Sequence, residues 1–370
     1  MKQIINPQRL YSLDALRGFD MFWIMGAEEI FYKMAEITEA PFWKALSVQF
    51  THPDWHGFAA YDIIFPLFLF LAGVATPYSL GKQMEKGETT NSLLFRVIKR
   101  GLILVLLGVI YNNGLKIMPF DEIRFGSVLG RIGLGYMFAN IIFLYTKQKG
   151  QIIWFFSILI GYWLLLTLGS APGYPMGDLS MEGNVVSFLD RILMPGKLYL
   201  GIHDPEGLVS TIPAVATALL GIYTGNLLKG TAEADKTKTA LRLVVIGAGL
   251  IVVAQIWGLF FPINKNLWTS SFALQCGGIS MILMATFYYI IDILGYVKWA
   301  FFFKIIGMNS ILIYMAGDFI KWSYTASAMF GWLGQLVGEP YNAVIMVFAF
   351  LAVQWGFLYM MYKQKLFLRV

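Results

Sequence analysis

Two histidines stand four residues apart in THPDWHG, His52 and His56, and Asp62 follows them just before the apolar run IIFPLFLFLAG. Imidazoles beside a carboxylate are groups that move protons near neutral pH, and a plain membrane anchor needs none of them. A metal site would need more. His52 and His56 have the i,i+4 spacing of a shared helix face, but Pro53 and Gly57 oppose a regular helix there and no third nitrogen or sulfur ligand is evident, so no metal is expected. Each residue also has a plainer reading: a solvated loop histidine, an aspartate capping the helix that follows, and, for Asp204 and Glu206 in HDPEG, a turn whose acids suit a helix start.

The elements that position these groups are membrane spans. With 58% hydrophobic and 14% charged residues over 370 positions, the chain is far more apolar than a soluble domain, which carries about 25% charge. Its mean hydropathy is +0.64. Ten segments approach the roughly 20 apolar residues that cross a bilayer: 13–32, 61–80, 93–112, 125–145, 151–169, 207–228, 241–261, 268–290, 299–320 and 341–362. The expected fold is therefore all-α, a polytopic bundle of about ten transmembrane helices, with 1–370 as one domain. The single cysteine, Cys276, offers no disulfide framework. The acids and Arg17 in the first apolar run exclude a cleavable signal, so it reads as a retained span.

With the N-terminus inside, the inner connections hold 18 of the 28 basic residues and the outer ones eight. That bias predicts both termini in the cytoplasm. It also accounts for the net charge of +6 without a nucleic-acid partner. His52, His56 and Asp62 then lie at the outer face, joined by Asp204 and Glu206, by Asn264, Lys265 and Asn266 in FPINKNLW, and by Asp318 at the end of the ninth span. Four separate segments delivering polar groups to one face point to a reaction centre there. Asp14 and Arg17, three apart in the first span, read as an ion pair or as a cationic lining for an anionic ligand, with Gly18 allowing a close approach. Asn309 and Ser310 place hydrogen-bonding groups at mid-membrane, tying helices together or lining a channel.

Six segments in order, SLDALRGF, HPDWHGFAAYDIIFPLFLFLAG, RFGSVLGRIGLGY, DPEGLVSTIPAV, FPINKNLWT and GMNSILIY, resemble the membrane core of the heparan-α-glucosaminide N-acetyltransferase family, within the transmembrane acyltransferase superfamily. The resemblance covers nearly all of the chain. It implies a bacterial-type homologue without the lysosomal enzyme's N-terminal lumenal domain, moving acetyl from cytosolic acetyl-CoA to the amine of glucosamine or a related amino sugar outside. His52 matches the family histidine, whereas His56 falls where the lysosomal enzyme has asparagine and Gly317 where it has a further histidine.

His52 is thus expected to act as general base or acetyl carrier, with Asp62 orienting the ring and Asn309 or Asn264 holding the thioester oxygen. Arg17, Arg96, Lys99, Arg100 and Ser310 are expected at acetyl-CoA, and Asp204, Glu206, Asn264, Asn266 and Asp318 at the acceptor. Expected partners are acetyl-CoA as co-substrate, the amino sugar, the lipid bilayer and a second copy of the chain. The chain carries no N-x-S/T sequon, which favours a bacterial inner membrane with the acceptor site facing the periplasm. A sugar or acyl-group transporter and a polysaccharide O-acetyltransferase remain as alternatives.

Overall fold

The computed structural model describes residues 10–38 and 40–368. Lys2, Arg9 and Arg369, which contribute to the orientation expected above, lie outside the described residues, as do both termini. The described residues are helical, with no strand beyond one isolated antiparallel bridge between Arg124 and Gly196. In order the helices are α1 (Tyr11–Phe22), α2 (Glu29–Thr38), α3 (Pro41–Gln49), α4 (Ala60–Glu85), α5 (Thr90–Asn113), α6 (Val128–Tyr145), α7 (Gln148–Leu168), α8 (Val185–Leu193), α9 (Thr211–Lys229), α10 (Lys236–Gly258), α11 (Ser270–Ile293), α12 (Ala300–Met308), α13 (Ser310–Phe319), α14 (Trp322–Val337) and α15 (Asn342–Lys363). Seven of these are long and apolar enough to cross a membrane, or eight if the bent pair α12–α13 is one span.

Helix covers each of the ten expected segments, but two are not the single rods that composition suggested. The first, 13–32, breaks at Gly26, whose φ of 107° lies outside the helical region. The chain restarts as α2 three residues later. The ninth, 299–320, bends by 70° between α12 and α13. Asn309, at the bend, has φ −131° and ψ 32°, and α14 follows α13 after two residues, so Asp318 does not close a straight span. Hydropathy registers average composition and not a single non-helical residue, which is why segments of sufficient apolar length hid both breaks.

The chain divides into two compact units, and the division falls inside α4 and α11. The terminal unit comprises the described residues of Met1–Pro53, Ala59–Ile64 and Thr286–Arg369; the middle unit comprises Asp54–Phe58 and Phe65–Ala285. In the terminal unit α1 and α12 are in backbone contact, since a Cβ on Gly18 would overlap the Phe303 carbonyl and one on Gly307 the Asp14 carbonyl. Small residues that let helix backbones meet are the usual device of packing in lipid. Met21, Met25, Ile305, Ile306, Trp322 and Leu358 form the core around that contact. In the middle unit α9 is the central helix: 78% of its apolar window is buried, against 22% for α7 and for α10. Glycines again set the closest approach, with Gly73 and Gly221 facing the backbones of Ala218 and Phe70 between α4 and α9.

Candidate active site

His52 sits in the turn between α3 and α4, ahead of Pro53, which restricts its backbone to extended conformations. That turn is held from behind. The Tyr32 hydroxyl donates to the Phe50 carbonyl (2.6 Å), Thr51 Oγ1 donates to Ser47 O (3.0 Å), and the Ala60 amide donates to Gln49 Oε1 (3.2 Å). Phe50 packs against Trp23, Phe31 and Tyr61 at centroid distances of 4.9, 4.7 and 5.7 Å, so an aromatic shelf from the broken first span supports the loop. The His52 ring lies 5.1 Å from that of Tyr61.

The imidazole Nδ1 is 2.6 Å from Asp62 Oδ1. Asp62 is fully buried and the His52 side chain is 44% exposed. The other carboxylate oxygen accepts the Ala59 amide at 2.8 Å, at the mouth of the 3₁₀ turn that opens α4. Asp62 is not the N-cap expected from its place ahead of the apolar run: Ala59 holds that position, and Asp62, at the third residue of the turn, reaches back to the Ala59 amide with one oxygen and to His52 with the other. A buried carboxylate is costly to desolvate unless it is paired and hydrogen-bonded, and here it is both. Because a carboxylate accepts, Nδ1 carries the proton and Nε2 becomes the basic nitrogen.

His56 belongs to the middle unit and is built differently. Asn264 Oδ1 accepts the Leu267 amide (2.8 Å), which turns Nδ2 toward His56 Nδ1 at 3.2 Å. That nitrogen must accept, so His56 carries its proton on Nε2, the opposite tautomer to His52. Burial lowers its pKa. The third histidine, His203, is fully buried with Nδ1 2.8 Å from Ser187 Oγ, and burial takes its pKa down to about 4.

Around it the middle unit gathers a charged cluster. Arg124 holds Asp204 through Nε (3.0 Å) and Nη2 (2.8 Å) and also Glu206 (2.6 Å), while lying over the Tyr199 ring. Asp204 accepts the Tyr199 and Glu206 amides as well, and Arg124 together with these bonds lowers its pKa despite burial. Arg131 is buried with Nη2 on Ser210 Oγ and lies over the Trp268 and Phe65 rings. Asp190, buried, accepts the Val209 amide at 3.0 Å, and burial pushes its pKa up to about 6.

The sequence model described as heparan-alpha-glucosaminide N-acetyltransferase, catalytic, matches residues 9–253 of this chain, a span that contains His52 and Asp62. The chain belongs to that family. It is 27% identical to the mouse heparan-alpha-glucosaminide N-acetyltransferase over 378 residues and 26% identical to the human one over 368. Those alignments take in 87% and 84% of this chain, but the chain spans only about half the length of its relatives, 56% and 53%.

Within this family member the remaining expected residues fall in several places. Asp204 and Glu206 come together on Arg124, a residue to which sequence reasoning gave no role at a site, and the three groups brace the loop ahead of α9. Asn264 is buried with both ends of its amide engaged. Asn266 is partly exposed on the same turn, and Asp318 is exposed near the end of α13. Asn309 ties down the C-terminal segment, donating to Leu366 O and accepting from the Leu368 amide, both at 3.0 Å. Ser310 is buried beside it at the start of α13.

Arg17 is partly buried on α1, one turn after buried Asp14. On α5, Arg96 pairs with Glu88 (2.7 Å), Lys99 is exposed, and Arg100 lies over the Tyr136 ring at 4.5 Å. Among the described residues no group of three potential ligands is arranged for a metal. Sequence reasoning missed Tyr61 and Glu28, which hydrogen-bond each other behind His52. A signal existed for Tyr61, which adjoins Asp62, and for Glu28, an acid within an apolar run.

Proposed function

We propose that this chain is an N-acetyltransferase that takes acetyl from cytosolic acetyl-CoA and places it on the amine of glucosamine or a related amino sugar across the membrane. The observation that carries the proposal is the 2.6 Å contact between His52 Nδ1 and a fully buried Asp62. It orients a half-exposed imidazole, fixes its tautomer and can balance a positive ring as charge develops. Family membership supplies the reaction class.

The amine attacks the thioester carbonyl carbon as the carbon–sulfur bond breaks. Nε2 of His52 takes a proton from the acceptor nitrogen and returns it to the departing CoA thiolate, so transfer to an ammonium releases one net proton. In the covalent variant Nε2 itself attacks the carbonyl carbon and expels the CoA thiolate; the amine then attacks the acetyl-imidazole, the carbon–Nε2 bond breaks, and the proton lost from the amine nitrogen balances the protonation of the thiolate. The phosphates of acetyl-CoA would meet Arg96, Lys99 and Arg100 of α5 in the middle unit, since neighbouring cations suit a polyanion; Arg17 of the terminal unit is a separate candidate for the same cofactor. In this reading the chain works as one domain of ten crossings with both termini inside, in a bacterial inner membrane, and the acceptor site faces the periplasm.

The test is to incubate purified chain with acetyl-CoA and glucosamine and to measure free CoA thiol and N-acetylglucosamine together. Both should appear in equal amounts; glucosamine uptake into vesicles without thiol release would replace the enzyme with a carrier, and a base-labile ester would replace N-transfer with O-transfer. Cysteines at 177 and 236 should react with an impermeant reagent in spheroplasts only at 177.

A further inference from the structure

On the outside of the middle unit α7, α9 and α10 leave an apolar cleft of about 270 Å³, lined by Ile152, Phe155, Phe156, Leu220, Ile246 and Leu250 among others. Ile152 and Phe156 are 38% and 53% exposed, so the cleft opens toward what surrounds the helices. Its polar lining, Gln148, Gln151 and Tyr223, lies toward the end where α7 begins and α9 stops. Two exposed cations stand at that same end. Lys149 precedes Ile152 and Phe156 by three and seven residues, and Arg242 precedes Ile246 and Leu250 by four and eight. Helical spacing therefore puts each cation on the stripe that lines the cleft, beyond its last apolar residue.

An apolar slot with an exposed cation beyond the lining stripe on each of two helices matches one ligand chemistry. We propose that it binds a single anionic phospholipid, an acyl chain lying in the cleft and the phosphate between Lys149 and Arg242. From Gln148 to Phe156 the slot rises about 12 Å along α7, close to the roughly 15 Å hydrocarbon depth of one leaflet. Two cations at one end of the slot suit a phosphate, which accepts several charge-assisted hydrogen bonds. A sterol hydroxyl would leave most of that capacity unused. The inference stands apart from the acetyl-transfer reading, because none of these residues belongs to the proposed reaction centre.

Native mass spectrometry of the purified full chain, loaded with phosphatidylglycerol or phosphatidylcholine of identical acyl chains, tests it. Wild type should retain one phosphatidylglycerol per chain with about tenfold preference, each surface cation adding a few-fold. The double variant Lys149→Gln/Arg242→Gln should lose the preference, and Ile246→Trp, which fills the slot, should reduce retention of both lipids at least tenfold. Equal retention of the two lipids by wild type, or a preference that survives the double variant, overturns the proposal. The charge variant alters exposed side chains only and decides the matter alone if Ile246→Trp does not fold. Rapid disulfide cross-linking through Ile246→Cys would show a second copy in the cleft and also overturn it; the native Cys276 is buried and does not confuse that readout.

Discussion

His52 and His56 are four residues apart, yet they belong to different units and carry their protons on different nitrogens. His52 faces a buried carboxylate whose second oxygen is occupied by the Ala59 amide. His56 faces the amide hydrogens of Asn264, a group that cannot balance a positive ring. The two rings differ in the partner on Nδ1, a buried carboxylate for one and a side-chain amide for the other, and sequence position does not reveal that difference. His203, sealed against Ser187 and held neutral by burial, extends the structural side of the comparison.

The most severe way to break the comparison is to remove its reactive member. His52→Ala should lower acetyl transfer by about 10²–10⁴-fold while acetyl-CoA binding persists, the usual span for losing a general base. Asp62→Asn should cost at least about 10²-fold, because an amide in place of the carboxylate no longer enforces the tautomer. Residues acting as one device are non-additive. The double variant should therefore be little slower than His52→Ala, as measured by CoA thiol release; fully multiplicative losses would mean that Asp62 acts elsewhere, on the Ala59 amide alone.

Much of this centre was legible in the chain, and the reason is local. His52 and Asp62 are ten residues apart on one turn, so their meeting needed little tertiary knowledge. The all-helical, membrane-spanning character was legible because apolar length is a property of composition, though seven or eight of the described helices rather than ten are long and apolar enough to cross. What was not legible depends on partners far away in sequence. Arg124 reaches 80 residues to hold Asp204, so the two acids expected at the acceptor meet a cation whose distance in sequence hid the contact. Asn309 looked like a mid-membrane donor until the C-terminal segment, 57 residues on, claimed its amide. Gly26 gave no hydropathy signal, yet the break there carries the aromatic shelf beneath His52.

The structural side of the comparison can be sharpened by pH. His203, with a pKa of about 4 in the fold against 6.5 otherwise, takes up its proton more readily when unfolded, so its contribution is intact above about 6.5 and is lost as pH falls toward 4. Asp190, at about 6 against 3.8, holds its proton more tightly in the fold, so its contribution grows as pH falls from 6 toward 3.8. Over one window the two oppose each other. Wild type should show a nearly flat thermal midpoint between pH 6.5 and 4. His203→Gln should become more stable on acidification and Asp190→Asn less stable, each by about 2–3 kcal/mol across two pH units. Parallel slopes in the two variants would reject the assignment of His203 as a buried neutral ring.

The smallest expected effect is the most discriminating. His56→Asn exchanges an imidazole that only accepts from Asn264 for an amide whose oxygen can do the same. Nothing in that contact calls for a titrating group, and burial already keeps the ring in its neutral form. One neutral hydrogen bond of about 1 kcal/mol is at stake, so acetyl transfer should stay within roughly fivefold of wild type, with the thermal midpoint barely moved. The variant should also leave the pH profile of transfer unchanged, since the proton-carrying ring remains His52. Inactivation as deep as that of His52→Ala would erase the distinction between the two imidazoles and require a centre that uses both. A moderate loss restored by His56→Gln would instead locate the effect in the reach of the acceptor toward Asn264 Nδ2, leaving His52 as the sole base.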